Sequence, residues 1–248
     1  MAVYQLDDEL WFPDPHMGEE GGLIAVGGDL SVDRLLLAYS NGFFPWYSYR
    51  CEDEPLWYCP MDRFVIFPKE IHVSHSMKQL MHQCKYTVTI NKDFDGVIRG
   101  CSKVDGRNKV FEAWLGPDII KAYTALNRLG YAFSIEVWEA TDNDSASKEG
   151  KLVGGLYGVF LRNAFFGESM FSLVPNASKL ALIHLAQTLE QHGGIFIDCQ
   201  FETPHLKSMG GKHISYDEYM ELLNEPVITQ YASNDSRTQI IGDNSSLI

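Results

Sequence analysis

What most limits the folds open to this chain is a run of segments whose apolar residues recur every second position, with one long helical segment set among them. Residues 132 to 139 (AFSIEVWE) place Phe133, Ile135 and Val137 against Ser134, Glu136 and Trp138, the alternation a strand shows when one face is buried. Two further strand segments follow at 152 to 161 and 164 to 168. The polar stretch TDNDSASKEGK between them and the first reads as a loop tip with no functional role. From Asn176, a capping residue, a long helix carries Leu180, Ile183 and Leu185 on a buried stripe until Gly193-Gly194 stop it. A strand, Ile195 to Gln200, begins at once. Closely spaced strands pair antiparallel, whereas strand-helix-strand units make parallel neighbours. The chain therefore reads as an α+β protein with a mixed sheet.

Period two also marks Lys85 to Asn91 (KYTVTIN), with Tyr86, Val88 and Ile90 on one face. A helix of about ten residues is expected from Ser74, with Met77, Leu80 and Met81 at helical spacing. Another runs from Pro117 to Gly130, and a third follows Ser215, where Glu218 completes a capping box. The first segment is dense in Gly, Pro and aromatic residues, and Ser31 caps a short helix carrying Leu35, Leu36, Ala38 and Tyr39 that Gly42 closes. We read a small irregular N-terminal domain over residues 1 to 62, a mixed-sheet domain over 63 to 224, and a weakly ordered tail over 225 to 248 with too few apolar groups to offset its chain entropy.

With 248 residues, 45% of them hydrophobic, the chain can bury a self-sufficient core without a disulfide or metal staple. Cysteines at 51, 59, 84, 101 and 199 form no C-x-x-C pair and no metal-ligand spacing, which points to a reducing cytoplasm. No secretion signal and no run of 18 apolar residues is present, so no membrane association is expected. A net charge of −13 argues against coating a polyanion. Split by segment, though, the charge is −9 over residues 1 to 61, +4 over 62 to 109 and −8 over 110 to 248, so one basic island lies in an acidic chain.

Candidate site residues stand out where a polar group interrupts apolar surroundings. Period two puts Phe196, Asp198 and Gln200 on one face of the last strand of the apolar run. A buried carboxylate is costly unless paired, so Asp198 either meets a cation or polar donors in the core, or opens into a site. Glu168 follows the apolar run AFF on the face of Ala164 and Phe166, and Gly167 allows close approach of a backbone or ligand; a capping role is the alternative. Trp46, Trp57 and Trp114 are either core or platforms on which a base stacks, at about 1–3 kcal/mol per base. The glycine-rich VGGLYG at 153 to 158 lacks both phosphate-loop patterns, and the eight histidines show no metal-like spacing.

Taken in order, FPDP (12 to 15), GLIAVGGDLS (22 to 31), LLLAYSNGFFPWYS (35 to 48), WYCPMDR (57 to 63), SMK (76 to 78), SIEVW (134 to 138), LVGGLYGV (152 to 159), FFGESMFS (165 to 172), NASKLAL (176 to 182), GGIFIDCQ (193 to 200) and HLKSMGG (205 to 211) resemble the leucyl/phenylalanyl-tRNA protein transferases. The resemblance covers roughly residues 5 to 224. It implies an enzyme that moves Leu, Phe or Met from aminoacyl-tRNA to a protein with N-terminal Arg or Lys, marking that protein for degradation by the N-end rule. It also implies a catalytic domain similar to the acetyltransferase (GNAT-like) fold and no metal, ATP or coenzyme; separately, a monomer is expected.

By the resemblance, Asp198 holds the incoming N-terminal residue, Gln200 orients or relays at the reacting centre, and Glu168 positions the substrates. Trp46 and Trp114 match tryptophans that bind the 3′ adenosine of tRNA, with Tyr39 and Tyr123 nearby. Leu156, Phe165, Leu182, Leu185 and Ile197 match the lining of the amino-acid pocket. The family's basic cluster on its early helix is thinned here to Lys78 and Lys85, with His75 and His82, Ala113 replaces a usual Thr, and Tyr216 replaces a frequent Arg. Two other functions compete: an acetyl-CoA-dependent acetyltransferase on the same fold, for which the expected pyrophosphate-binding loop is missing, and a non-catalytic tRNA-binding module.

Overall fold

The computed structural model describes residues 2–47, 54–104, 116–140 and 150–226. Trp114, the polar stretch at 141–149 and the tail beyond 226 fall outside the described residues.

The N-terminal segment is a sheet rather than the irregular unit expected. Strands β1 (Tyr4–Leu6), β2 (Leu23–Gly27), β3 (Phe44–Tyr47) and β4 (Pro55–Tyr58) line up in the order β1-β2-β4-β3. Each strand is three to five residues long, too short for a period-two pattern to show among so many Gly, Pro and aromatic residues. Helix α1 (Val32–Ser40) joins β2 to β3; Ser31 Oγ accepts from the Arg34 N–H, and Gly42 takes the left-handed turn (φ +78°) that ends it.

A second, seven-stranded sheet begins at β5 (Asp62–Ile66). Its members in sequence are β5, β6 (Tyr86–Ile90), β7 (Ala132–Glu139), β8 (Lys151–Leu161), β9 (Ala164–Ser172), β10 (Phe196–Asp198) and β11 (Lys212–Ser215). They lie in the order β11-β5-β10-β9-β8-β7-β6. All neighbours are antiparallel except β9 and β10, the parallel pair joined through helix α5 (Ala177–Gln191). After α1, three more helices precede α5: α2 (His75–His82), α3 (Phe94–Val104) and α4 (Pro117–Arg128). Two short ones follow, α6 (Pro204–Ser208) and α7 (Tyr216–Asn224).

Both faces of this sheet are covered. On one side α1, α3, α4 and α7 pack over Tyr157, Val159, Phe166 and Phe196; on the other α2 and α5 pack over Ile66, Ile135, Phe165 and Ile197. Sequence alternation therefore misread one face of β7, since Ser134 and Glu136 are buried as fully as Ile135. The cause is α3, whose Phe94, Val97, Ile98 and Cys101 fall at helical spacing and close over that face. Glu136 is made tolerable there by four donors: the hydroxyls of Thr89 and Ser134 and the amides of Lys92 and Asp93. Burial still pushes its carboxyl above the usual range.

The glycine-rich stretch has a packing role. A Cβ on Gly154 would stand 2.5 Å from that of Ala177 on α5, and one on Gly158 would strike the Phe165 ring at 2.5 Å. These glycines bring helix and neighbouring strand onto β8. The Asn176 backbone is left-handed (φ +70°) and its side chain caps nothing; Ser172 Oγ instead accepts from the Ser178 N–H.

Candidate functional site

β10 ends at Asp198, two residues short of the strand expected from alternation, and Gln200 turns left-handed (φ +59°). Asp198 and Gln200 therefore do not project as successive members of one strand face. The Asp198 carboxylate lies fully buried against an equally buried cation. Arg63 of β5 donates to it twice, Nε to Oδ1 at 2.9 Å and Nη2 to Oδ2 at 2.7 Å. Tyr219 of α7 donates to Oδ2 at 3.0 Å, and the backbone N–H of Gln200 donates to Oδ1 at 2.9 Å. The guanidinium is held between the rings of Phe44 and Tyr219, 4.7 and 4.8 Å from their centroids. Burial works against its charge, but the adjacent carboxylate holds Arg63 protonated beyond the ordinary guanidinium range. Of the two readings open for Asp198, the structure shows a carboxylate paired with a cation in the core.

Glu168 owes its position to a bulge. β8 pairs Gly158 with Gly167 and Tyr157 with Ser169, which leaves Glu168 as the extra residue of β9, and such bulges re-aim a side chain. The Tyr39 hydroxyl from α1 lies 2.7 Å from Oε1 of Glu168, and the Tyr123 hydroxyl from α4 lies 2.9 Å from Oε2. The two tyrosine oxygens are themselves 2.5 Å apart. Burial raises the Glu168 carboxyl to about 7 against the lowering effect of the two phenols. Both phenols are raised as well, burial first and the Glu168 charge second.

Two cavities meet at this carboxyl. One, of about 170 Å³, is walled by Phe44, Pro45, Trp46 and Phe201. The other, of about 250 Å³, is lined by Leu156, Met170, Leu182, Leu185 and Ile197. Glu168 and Gln200 line both, together with Cys199, Thr203 and Leu206. Gln200 Nε2 is buried and has no hydrogen-bond partner among the described residues, so a donor stands unused at the junction. Burial pushes the Cys199 thiol far up, out of the nucleophilic range.

Most of the residues named from the sequence converge here. Leu156, Leu182, Leu185 and Ile197 line the apolar cavity, whereas Phe165 is fully buried behind it, against Gly158. Trp46 is 42% exposed and packs at a tilt against the rings of Tyr58 and Phe201 at the aromatic cavity. Tyr39 and Tyr123 are fully buried and meet Glu168. Trp57 is core, its indole N–H donating to the Gly27 carbonyl. On the basic island, Lys78 is exposed on α2, and Lys85 is paired with Glu139 at 2.9 Å. Sequence reasoning passed over Arg63 and Tyr219. The signal for Arg63 was present, since an arginine heading the apolar run FVIF needs a buried anion as much as Asp198 needs a cation. Among the described residues no three His, Cys, Asp or Glu side chains group as a metal site, and no helix is long and apolar enough to cross a membrane.

On this mixed sheet an acid and a free amide donor stand at the meeting point of an aromatic and an apolar cavity, a site with room for two unlike groups joined at one bond. Residues 65–224 match the family model described as leucyl/phenylalanyl-tRNA protein transferase, and residues 28–61 match that of its N-terminal domain. A leucyl/phenylalanyl-tRNA protein transferase of Syntrophobacter fumaroxidans is 45% identical over 228 residues, 92% of each chain. One of Pseudomonas fluorescens is 44% identical over 90% of this chain and 94% of its own. This chain belongs to the leucyl/phenylalanyl-tRNA protein transferase family, and it is an aminoacyltransferase. The solved structure of L-PGS from Bacillus licheniformis covers 75% of this chain and 57% of its own at 13% identity, with a TM-score of 0.37, too loose a likeness to carry an argument.

Proposed function

We propose that this chain transfers Leu, Phe or Met from tRNA to the N-terminal Arg or Lys of a protein, as a cytoplasmic monomer on a GNAT-like domain, marking the acceptor for degradation. One observation carries the assignment of sites: the two cavities share Glu168 and Gln200 at their junction. The ester to be cleaved links an adenosine to an apolar side chain, so its bond must cross such a junction. The adenine stacks in the aromatic cavity against Trp46, and the resemblance gives Trp114 the same role. The Leu, Phe or Met side chain enters the apolar cavity. Phe165 shapes it from behind, and the exposed Lys78, with Lys85, steadies the tRNA backbone. The mixed sheet, with its single parallel pair around α5, supports the GNAT-like assignment.

At the junction, the free Gln200 amide donates to the ester carbonyl and stabilises the oxyanion that forms as an amine attacks. The ester is already activated, so positioning supplies much of the remaining acceleration, and neither ATP nor a coenzyme is needed. Asp198, whose oxygens are taken by Arg63, Tyr219 and the Gln200 N–H, acts as a positioning residue: it holds the strand end from which the amide projects.

The test is transfer of labelled amino acid from Leu-, Phe- and Val-charged tRNA to a reporter beginning with Arg, without ATP. Leu and Phe are expected to transfer and Val to fail. A methylene is worth only about 1–3 kcal/mol in such a pocket, so Val must be refused by a clash at its branched Cβ. Absence of transfer from active charged tRNA would refute the reading.

A further inference from the structure

Tyr39, Tyr123 and Glu168 form a closed ring of three short oxygen contacts, and the ring can be read by counting protons. The contacts are Tyr39 to Tyr123 at 2.5 Å, Tyr39 to Glu168 at 2.7 Å and Tyr123 to Glu168 at 2.9 Å. Each contact needs one proton. The two phenols bring two, since each hydroxyl has a single hydrogen. Were Glu168 ionised, two protons would serve three contacts, and whichever way the phenols turned one pair of oxygens would face each other with no hydrogen between them. A third proton, on Glu168, lets every group donate once and accept once around the ring.

We propose that Glu168 is a carboxylic acid in the free protein, its proton shared with Tyr39 and Tyr123, and that it gives this proton to the ribose oxygen leaving the aminoacyl ester. This rests on the transferase reading for its substrate. Both tyrosines are fully buried, and of the ring only Glu168 lines the cavities, so exchange with substrate takes place there.

The step balances. The neutral amine nitrogen forms its bond to the carbonyl carbon, and the C–O bond breaks with its electron pair going to the ribose oxygen. That oxygen takes the Glu168 proton, and the proton shed by the nitrogen returns to the Glu168 carboxylate. The acid is restored with no other reactant. An amine with a pKa near 7.7–8.0 is partly neutral at the pH where Glu168 still holds its proton.

Groups packed around Glu168 from the other elements favour the same state. Tyr39 comes from α1 and Tyr123 from α4, and neither ionises near neutrality because burial raises both. Asp198 of β10 raises the Glu168 carboxyl and Arg63 of β5 lowers it, but that pair largely cancels itself by its two-point contact. Tyr219 of α7 is committed to Asp198. On α6, burial is the chief cause that lowers the His205 imidazole from its ordinary value and so disfavours a positive charge there. Burial as the largest cause takes Glu168 to about 7.

Infrared difference spectra of the full-length protein test the ring without any substrate. A protonated-carboxyl band is expected at pH 6, lost as pH rises through neutrality and absent from Glu168→Gln. Tyr39→Phe, which keeps the burial but removes two of the three contacts, is expected to shift the band. A Glu168 already ionised at pH 6 would overturn the proposal, and an unshifted band in Tyr39→Phe would overturn the sharing. In transfer assays, kcat/KM of the parent is expected to fall above neutral pH, and Glu168→Gln is expected to lose at least tenfold in rate together with that fall. A fall retained in Glu168→Gln would refute the proton donation. If no transfer occurs while the band behaves as expected, the transferase reading fails and the ring stands.

Discussion

Removing the Asp198 carboxylate should damage the fold before it says anything about chemistry. In Asp198→Ala the guanidinium of Arg63, 1% exposed, keeps its place with its anion gone. Breaking one side of a buried pair costs about 3–5 kcal/mol, because the surviving charge is desolvated and unpaired. The Tyr219 hydroxyl and the Gln200 N–H lose their acceptor in the same stroke. For a chain of this size each kcal/mol moves the melting point by about 2–4 °C, so the variant is expected to melt roughly 6–20 °C lower. The assay is urea and thermal unfolding of the parent, Asp198→Ala, Arg63→Met and the double variant. Arg63→Met places an apolar chain between the Phe44 and Tyr219 rings, so the double variant should lose at least about 2 kcal/mol less than the two single losses added. An Asp198→Ala protein within about 1 kcal/mol of the parent would refute this reasoning, as would strict additivity. Any activity lost by this variant must then be measured at a temperature where it is still folded.

Glu168 lends stability the opposite dependence on pH from that of a salt-bridged acid. Its folded pKa, about 7, lies above the reference 4.5, so the unfolded chain ionises first as pH rises and stability falls between the two values. Discounted for the partial exposure of the side chain, Glu168→Gln should be more stable than the parent by about 2 kcal/mol at pH 8 and no more stable at pH 4. Unfolding curves at the two pH values check it, and a pH-independent difference would contradict it. Gly158→Ala puts a Cβ against the Phe165 ring and the Phe166 carbonyl, and overpacking of this kind should cost about 1–3 kcal/mol in unfolding by urea. Because Lys85 is already paired with Glu139 and Lys78 stands exposed, tRNA binding should show a shallow salt dependence, at roughly 0.7–0.9 of log-log slope per phosphate. A slope implying about six contacts or more would overturn that expectation.

The elements that sequence periodicity placed are those long enough to display a period and covered on one side. α5, α4, β6 and the capped starts at Ser31, Ser74 and Ser215 fall where the pattern and the capping residues put them. β1 to β4 escaped notice because three to five residues carry no readable period. The buried Ser134 and Glu136 misled because alternation reports chemistry, whereas burial depends on what packs above, here α3. By itself, then, the sequence determined the α+β class, the family, and the residue types at the site, since local period, caps and motif order are properties of the chain alone. Three matters were decided only by tertiary structure. A bulge turns Glu168 toward two tyrosines from 129 and 45 residues away. Arg63 closes on Asp198 across 135 residues. Two cavities join at one carboxyl and one amide. Each of these depends on the register and packing of segments far apart in the chain, and no local pattern of side chains encodes a distance between them.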